Sequence, residues 1–162
     1  MSAEFRYGKA PERPPYRYTM CGLDDIYLAS GYERTDTDYG AGVVIHDMDG
    51  LHRAIGLHLA TEKKALNPKE VRFLRHEMDL TQAELGDLLR VTDQTVARWE
   101  KGEVPIPGPA DLLLRAFYLG HVSKKFDMRK LAEELRARDA PATTSRQLFA
   151  PTADGKWQAI AA

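Results

Sequence analysis

The chain has 162 residues, a formal net charge of −1, 43% hydrophobic and 29% charged residues, the balance of a globular protein with one domain or two small ones. No apolar run approaches the roughly 20 residues that a membrane-spanning helix needs, and the opening MSAEFRYGKAPERPPYRY lacks the apolar stretch of a secretory signal. The single cysteine, Cys21, leaves no internal disulfide and no zinc ribbon to build, so a cytoplasmic location is expected.

Charge is unevenly spread. Basic residues outnumber acidic ones at both ends, whereas residues 23–66 carry four Lys and Arg against eight Asp and Glu. Any contact with a polyanion must then rest on a few placed charges and on helix N-termini, and non-specific affinity should be weak.

Residues 1–15 hold three prolines and little apolar content, and read as a flexible arm. Arg6, Lys9 and Arg13 would suit entry into a minor groove; an untethered terminus is the plainer reading. From Tyr16 the pattern has period two. Tyr16, Tyr18 and Met20 alternate with polar residues, as do Ile26 and Leu28, and Gly40-Ala41-Gly42-Val43-Val44-Ile45 is β-branched behind glycines. Three short strands are expected. Asp47 to Lys63 turns helical, with Leu51, Ala54, Ile55, His58 and Leu59 on one stripe. The result is a small β-β-β-α unit over 16–66, too thin to stand without the next unit or a second copy.

Asn67-Pro68 opens a new helix, with Pro68 at its first position and Val71, Leu74, Arg75 and Met78 on one side. Thr81 and Glu84 form a capping box for the next helix, in which Leu85, Leu88 and Leu89 are expected to bury and Gly86 to permit close approach. Val91 enters a tight turn. Thr92 caps a third helix with Val96 and Trp99 inward, and Gly102 ends it. Pro109 opens a fourth helix whose Leu112, Leu113, Ala116, Phe117 and Leu119 are expected in the core. Residues 122–138 read as one more helix, and 139–162 as a disordered tail.

The block 67–121 resembles the Xre or lambdoid-phage-repressor type of helix-turn-helix domain. The matching residues are Thr81-Gln82-Ala83-Glu84-Leu85-Gly86, the Val91-Thr92 turn and the Arg98-Trp99-Glu100-Lys101-Gly102 exit. The whole is therefore expected to be α+β, a small β-β-β-α unit followed by an all-α lambda-repressor-like domain. The resemblance implies a homodimer on an inverted repeat of double-stranded DNA. It places Gln82, Thr92 and Lys101 at phosphates, Asp93, Gln94, Thr95 and Arg98 at bases, and Arg75 in a structural pair with Glu100.

A wider stretch, including Cys21-Gly22-Leu23-Asp24-Asp25-Ile26-Tyr27-Leu28 and Leu51-His52-Arg53-Ala54-Ile55, is similar to two-part regulators related to MqsA-type antitoxins. Many of those carry a zinc finger before the helix-turn-helix. The cysteine pairs are absent here, so the resemblance implies a zinc-free module, and residues 16–66 become a candidate surface for a toxin or another protein partner.

The side chains suit the role. Gln94 can pair through two hydrogen bonds with adenine and Arg98 with guanine, each contact giving about 1–3 kcal/mol of discrimination. Thr95 offers a methyl for thymine. Asp93 would either accept from a cytosine amino group or favour the helix N-terminus through its dipole. A dimer surface could be the β-containing unit, the fourth helix with Phe117 and Tyr118, or the 122–138 helix. His46, His52, His58, His76 and His121 form no His-x3-His pair, and no nucleophile elbow, phosphate loop or dinucleotide fingerprint occurs. Neither a metal, a cofactor nor an enzymatic activity is expected.

Overall fold

The computed structural model describes residues 14–123, 125–127, 131, 134–135, 137–138 and 146–161. Most of the expected arm and part of the expected 122–138 helix lie outside them. In chain order the elements are β1 (Tyr16–Arg17), β2 (Ile26–Leu28), β3 (Tyr32–Thr37), β4 (Gly40–Ile45), α1 (Met48–Glu62), α2 (Pro68–Glu77), α3 (Gln82–Leu89), α4 (Asp93–Lys101), α5 (Gly108–Val122), β5 (Gln147–Pro151) and β6 (Trp157–Ile160). The fold is α+β, with the N-terminal strands leading into α1–α5; described residues 131, 134–135 and 137 are also helical.

Four strands form a sheet in the order β1-β2-β5-β6. β1 is antiparallel to β2, β2 is parallel to β5 with Leu28 opposite Phe149, and β5 is antiparallel to β6 with Pro151 opposite Trp157. This corrects the expectation of a disordered tail over 147–160; residues 139–145 of that expected tail lie outside the described residues. Gln147–Pro151 and Trp157–Ile160 are strands because β2 offers a free edge and the core offers a place for Phe149, fully buried, and Trp157. Trp157 also donates its indole N–H to the His46 carbonyl at 2.9 Å.

The hairpin β3–β4 is separate, closed by a two-residue turn with Thr37 opposite Gly40. Its first strand was not expected. Neither strand buries a residue, so Tyr32 to Thr37 carries no apolar alternation to read.

The buried apolar side chains form one cluster that runs from Tyr18, Ile26 and Leu28 through α1 into Leu74, Leu85, Val96 and Leu114. The expected boundary near 66–67 therefore does not divide the core. α1 lies against β6 and also against α5 and α2. A Cβ on Gly56 would stand 2.1 Å from the Tyr118 hydroxyl oxygen, so α1 and α5 meet at that closeness only because position 56 has no side chain. Tyr118 is 1% exposed, which removes it from the candidate dimer surface. On α5 the buried stripe is Leu114, Arg115, Tyr118 and Leu119, with Leu112, Leu113 and Phe117 half-buried.

Buried charges lock α1 to α5. Arg115 is fully buried; it donates to Asp111 Oδ1 at 2.6 Å, to the Leu59 carbonyl at 3.3 Å and to the Lys63 carbonyl. Those carbonyls end α1 and have no partner within the helix, so a guanidinium satisfies them and complements the dipole. Asp111 Oδ2 accepts the Leu66 N–H at 2.8 Å. Next to it, Glu70 and Asn67 cap α2 reciprocally, and Lys63 Nζ lies 2.9 Å from Glu70 Oε1. Burial pushes the Glu70 carboxyl up from its ordinary range.

Candidate nucleic-acid interface

α3 begins where the sequence allows both partners of a reciprocal cap. Thr81 Oγ1 accepts the Glu84 N–H at 3.1 Å, and Glu84 Oε2 accepts the Thr81 N–H at 2.7 Å. Leu85 and Leu89 are buried, but Leu88 is 44% exposed. The expectation for Leu88 is thus corrected: one turn after Leu85, it stands on the rim and not beneath it.

The link to α4 is tight. Arg90 adopts a left-handed φ of 60° at the end of α3, and the Val91 N–H bonds back to the Gly86 carbonyl at 2.9 Å. A Cβ on Gly86 would sit 2.7 Å from the Val91 carbonyl oxygen. The glycine therefore admits the turn itself, a closer neighbour than the helix expected there.

α4 is held by its ends and by one face. Thr92 accepts the Thr95 N–H at 3.2 Å, and Gly102, with φ of 75°, returns its N–H to the Arg98 and Trp99 carbonyls. Val96 is fully buried and Trp99 is 3% exposed. The opposite face carries Asp93, Gln94, Arg98 and Lys101, all exposed. Among the described residues, no hydrogen bond or ion pair engages the side chains of Gln94, Arg98 or Lys101.

The other expected site residues are more committed. Asp93 Oδ1 accepts the Gln94 N–H at 2.9 Å, holding the carboxylate at the helix N-terminus. The Thr95 hydroxyl lies 3.0 Å from that of Thr92 and is half-buried. Gln82 donates from Nε2 to Glu100 Oε2 at 2.8 Å, leaving its second amide hydrogen for an outside acceptor.

Beneath this face Arg75 donates from Nε to Glu100 Oε1 at 2.5 Å and from Nη2 to Glu100 Oε2 at 3.0 Å, with a third bond from Nη1 to the Leu80 carbonyl at 2.8 Å. Both side chains are under 10% exposed. Burial raises the Glu100 carboxyl, but the bonds from Arg75 and Gln82 outweigh it and hold it below the usual range. The two-point contact ties α2 to α4, and Gln82 ties α3 to both.

Sequence reading missed a second network. The Tyr18 hydroxyl meets His52 Nε2 at 2.8 Å, and His52 Nδ1 meets Glu77 Oε1 at 2.9 Å, joining the strand region to α2. Burial pushes the Tyr18 phenol up to about 12. His52 sits one position off the apolar stripe of α1, a placement that hinted at contact with a neighbour but not with which one.

Among the described residues no group of three or more His, Cys, Asp or Glu side chains is placed to hold a metal ion. No helix among them is long and apolar enough to cross a membrane. Comparison with curated proteins and with solved structures finds no match to the chain. Residues 71–116, from within α2 to within α5, match the family model described as helix-turn-helix. This part of the chain is a helix-turn-helix domain of the Xre and lambda-repressor type, a fold of DNA-binding regulators.

Proposed function

We propose that the protein is a transcriptional repressor that binds an inverted-repeat operator as a homodimer, with α4 as its reading helix. The observation that carries this is the outer face of α4, where Gln94 and Arg98 stand exposed and uncommitted on a helix whose ends and inner face are fully held. Rigid presentation of uncommitted amide and guanidinium groups is what bidentate readout of adenine and guanine requires. In this reading Asp93, Gln94, Thr95 and Arg98 face bases, while Gln82, Thr92 and Lys101 face phosphates.

One module contacts only a few base pairs, so twofold symmetry is the economical route to specificity. Selection of bound sequences from random duplexes, followed by footprinting, tests the reading. The expected result is two protected half-sites about one helical turn apart. Recovery of no enriched sequence would end it.

A second reading concerns the strand region. The β3–β4 hairpin buries none of its residues, Tyr39 at its tip is fully exposed, Val44 is half exposed, and Glu33, Asp36 and Asp38 add negative charge. An antitoxin-like role, with residues 16–66 holding a partner protein while the helix-turn-helix controls its own operon, would use that surface. Co-purification with the product of a neighbouring gene supports this role, and a chain that sediments alone at its dimer mass counts against it.

A further inference from the structure

α2 carries a cationic cluster outside the reading helix. His76 Nε2 lies 3.4 Å from Arg72 Nε and 3.3 Å from Arg75 Nη2. Guanidinium groups only donate, so this ring nitrogen accepts from both and the imidazole proton sits on Nδ1. Burial and the two flanking arginines push the His76 pKa down, in keeping with a neutral ring that gathers two positive charges.

The neighbouring carboxylates are already engaged. Glu100 holds Arg75 and Gln82, Glu77 holds His52, and Asp24 holds Lys69 at 2.7 Å. Arg72 is exposed, and among the described residues no carboxylate pairs with it. It lines a pocket of about 480 Å³ together with Lys69 and His76 and with the two engaged carboxylates Glu77 and Glu100. The contacts Arg72–His76–Arg75–Glu100–Gln82 run without a break from this pocket to the first residue of α3. The exposed guanidinium, which shares Glu100's field but makes no hydrogen bond to it, is therefore linked through this chain to the side chain proposed above to meet the DNA backbone.

We propose that Arg72, oriented by His76, binds one phosphate of the DNA backbone at the α2 edge of the half-site. Resting on the DNA-binding reading, this adds a contact that positions the domain without reading sequence. The guanidinium is the binding group and His76 a positioning residue. A free inorganic phosphate is the other source of the same chemistry.

The test uses the full chain and the duplex it selects from a random pool. Each backbone phosphate of that duplex is replaced in turn by an uncharged methylphosphonate, and binding is measured for the parent and for Arg72→Ala. One position should weaken the parent several-fold and leave Arg72→Ala unchanged. Arg72→Ala should also lower the slope of log affinity against log salt by about one, equally for all sequences, and Arg72→Lys should restore it. Identical methylphosphonate profiles in parent and variant would overturn the assignment while leaving DNA binding intact. So would inorganic phosphate shifting the His76 ring resonances while those profiles stay identical, because the seat would then serve a free anion. A chain that selects no duplex removes both readings.

Discussion

The joint between α1 and α5 and the outer face of α4 are both polar, and they use polarity in opposite ways. At the joint, Arg115 and Asp111 are buried and bonded to each other, to the end of α1 and to the linker at Leu66. On α4, Gln94, Arg98 and Lys101 are exposed and bonded to nothing else in the described protein. A buried polar group must find its partners within the chain, because none comes from solvent. An exposed one on a rigid helix remains available to a ligand. The contrast separates charge committed to the fold from charge left available, without reference to sequence patterns.

Four measurements sharpen or break that contrast. Arg115→Met should be the most damaging, costing about 3–5 kcal/mol in urea unfolding, since it leaves Asp111 buried without its counter-charge. A loss near zero would mean that the joint is not what holds α1 against the helical domain. Arg98→Ala should leave unfolding within about 0.5 kcal/mol of the parent while relaxing one operator position by about 1–3 kcal/mol. If instead it destabilises the fold and binds the operator unchanged, the face has been assigned the wrong way round.

Thr92→Ala removes the cap of α4 and should reduce stability by about 1 kcal/mol, with operator affinity falling along with the order of the reading helix. Circular dichroism and titration on the same samples would check both effects. The smallest effect is a slope. The Glu100 carboxyl is held below its ordinary range by Arg75 and Gln82, so its contribution is complete above the unfolded value of about 4.3. That contribution is lost as pH falls through the lower folded value. Stability measured across that acid window should fall less steeply in Glu100→Gln than in the parent, from a lower plateau. An unchanged slope would show that another carboxyl sets the acid limb.

How legible each part was follows from how local its interactions are. The boundaries of α2, α3 and α4 could be read because Asn67 with Glu70, Thr81 with Glu84, Thr92 with Thr95, and Gly102 act within four residues of each other. The inward residues Val71, Leu74, Val96 and Trp99 follow the helical repeat. On α5 the apolar residues are nearly continuous, so the helical repeat alone does not separate the buried Leu114 and Tyr118 from the half-buried Leu112, Leu113 and Phe117. Leu88 is ambiguous for the same reason, because it and Leu89 are adjacent apolar residues between Asp87 and Arg90 and only one of them can lie on the buried face.

The strands were harder. Tyr32–Thr37 has neither an apolar alternation nor a buried residue, and Gln147–Pro151 and Trp157–Ile160 are runs of five and four residues set in a stretch rich in alanine, threonine and proline. β5 becomes sheet through β2, more than a hundred residues away, as Leu28 opposite Phe149 shows, and β6 then pairs back onto β5.

Of the candidate interface, the exposed helix with Gln94 and Arg98 was visible in the order of residues alone. That Gln82 is tethered to Glu100, that His76 gathers Arg72 beside Arg75, and that one core runs through both halves emerged only once the chain was folded. Caps and helical stripes are set by neighbours along the chain, so the amino-acid order determines them. Sheet partners, shared carboxylates and the commitment of each charge depend on which distant segments pack together, and tertiary structure decided those.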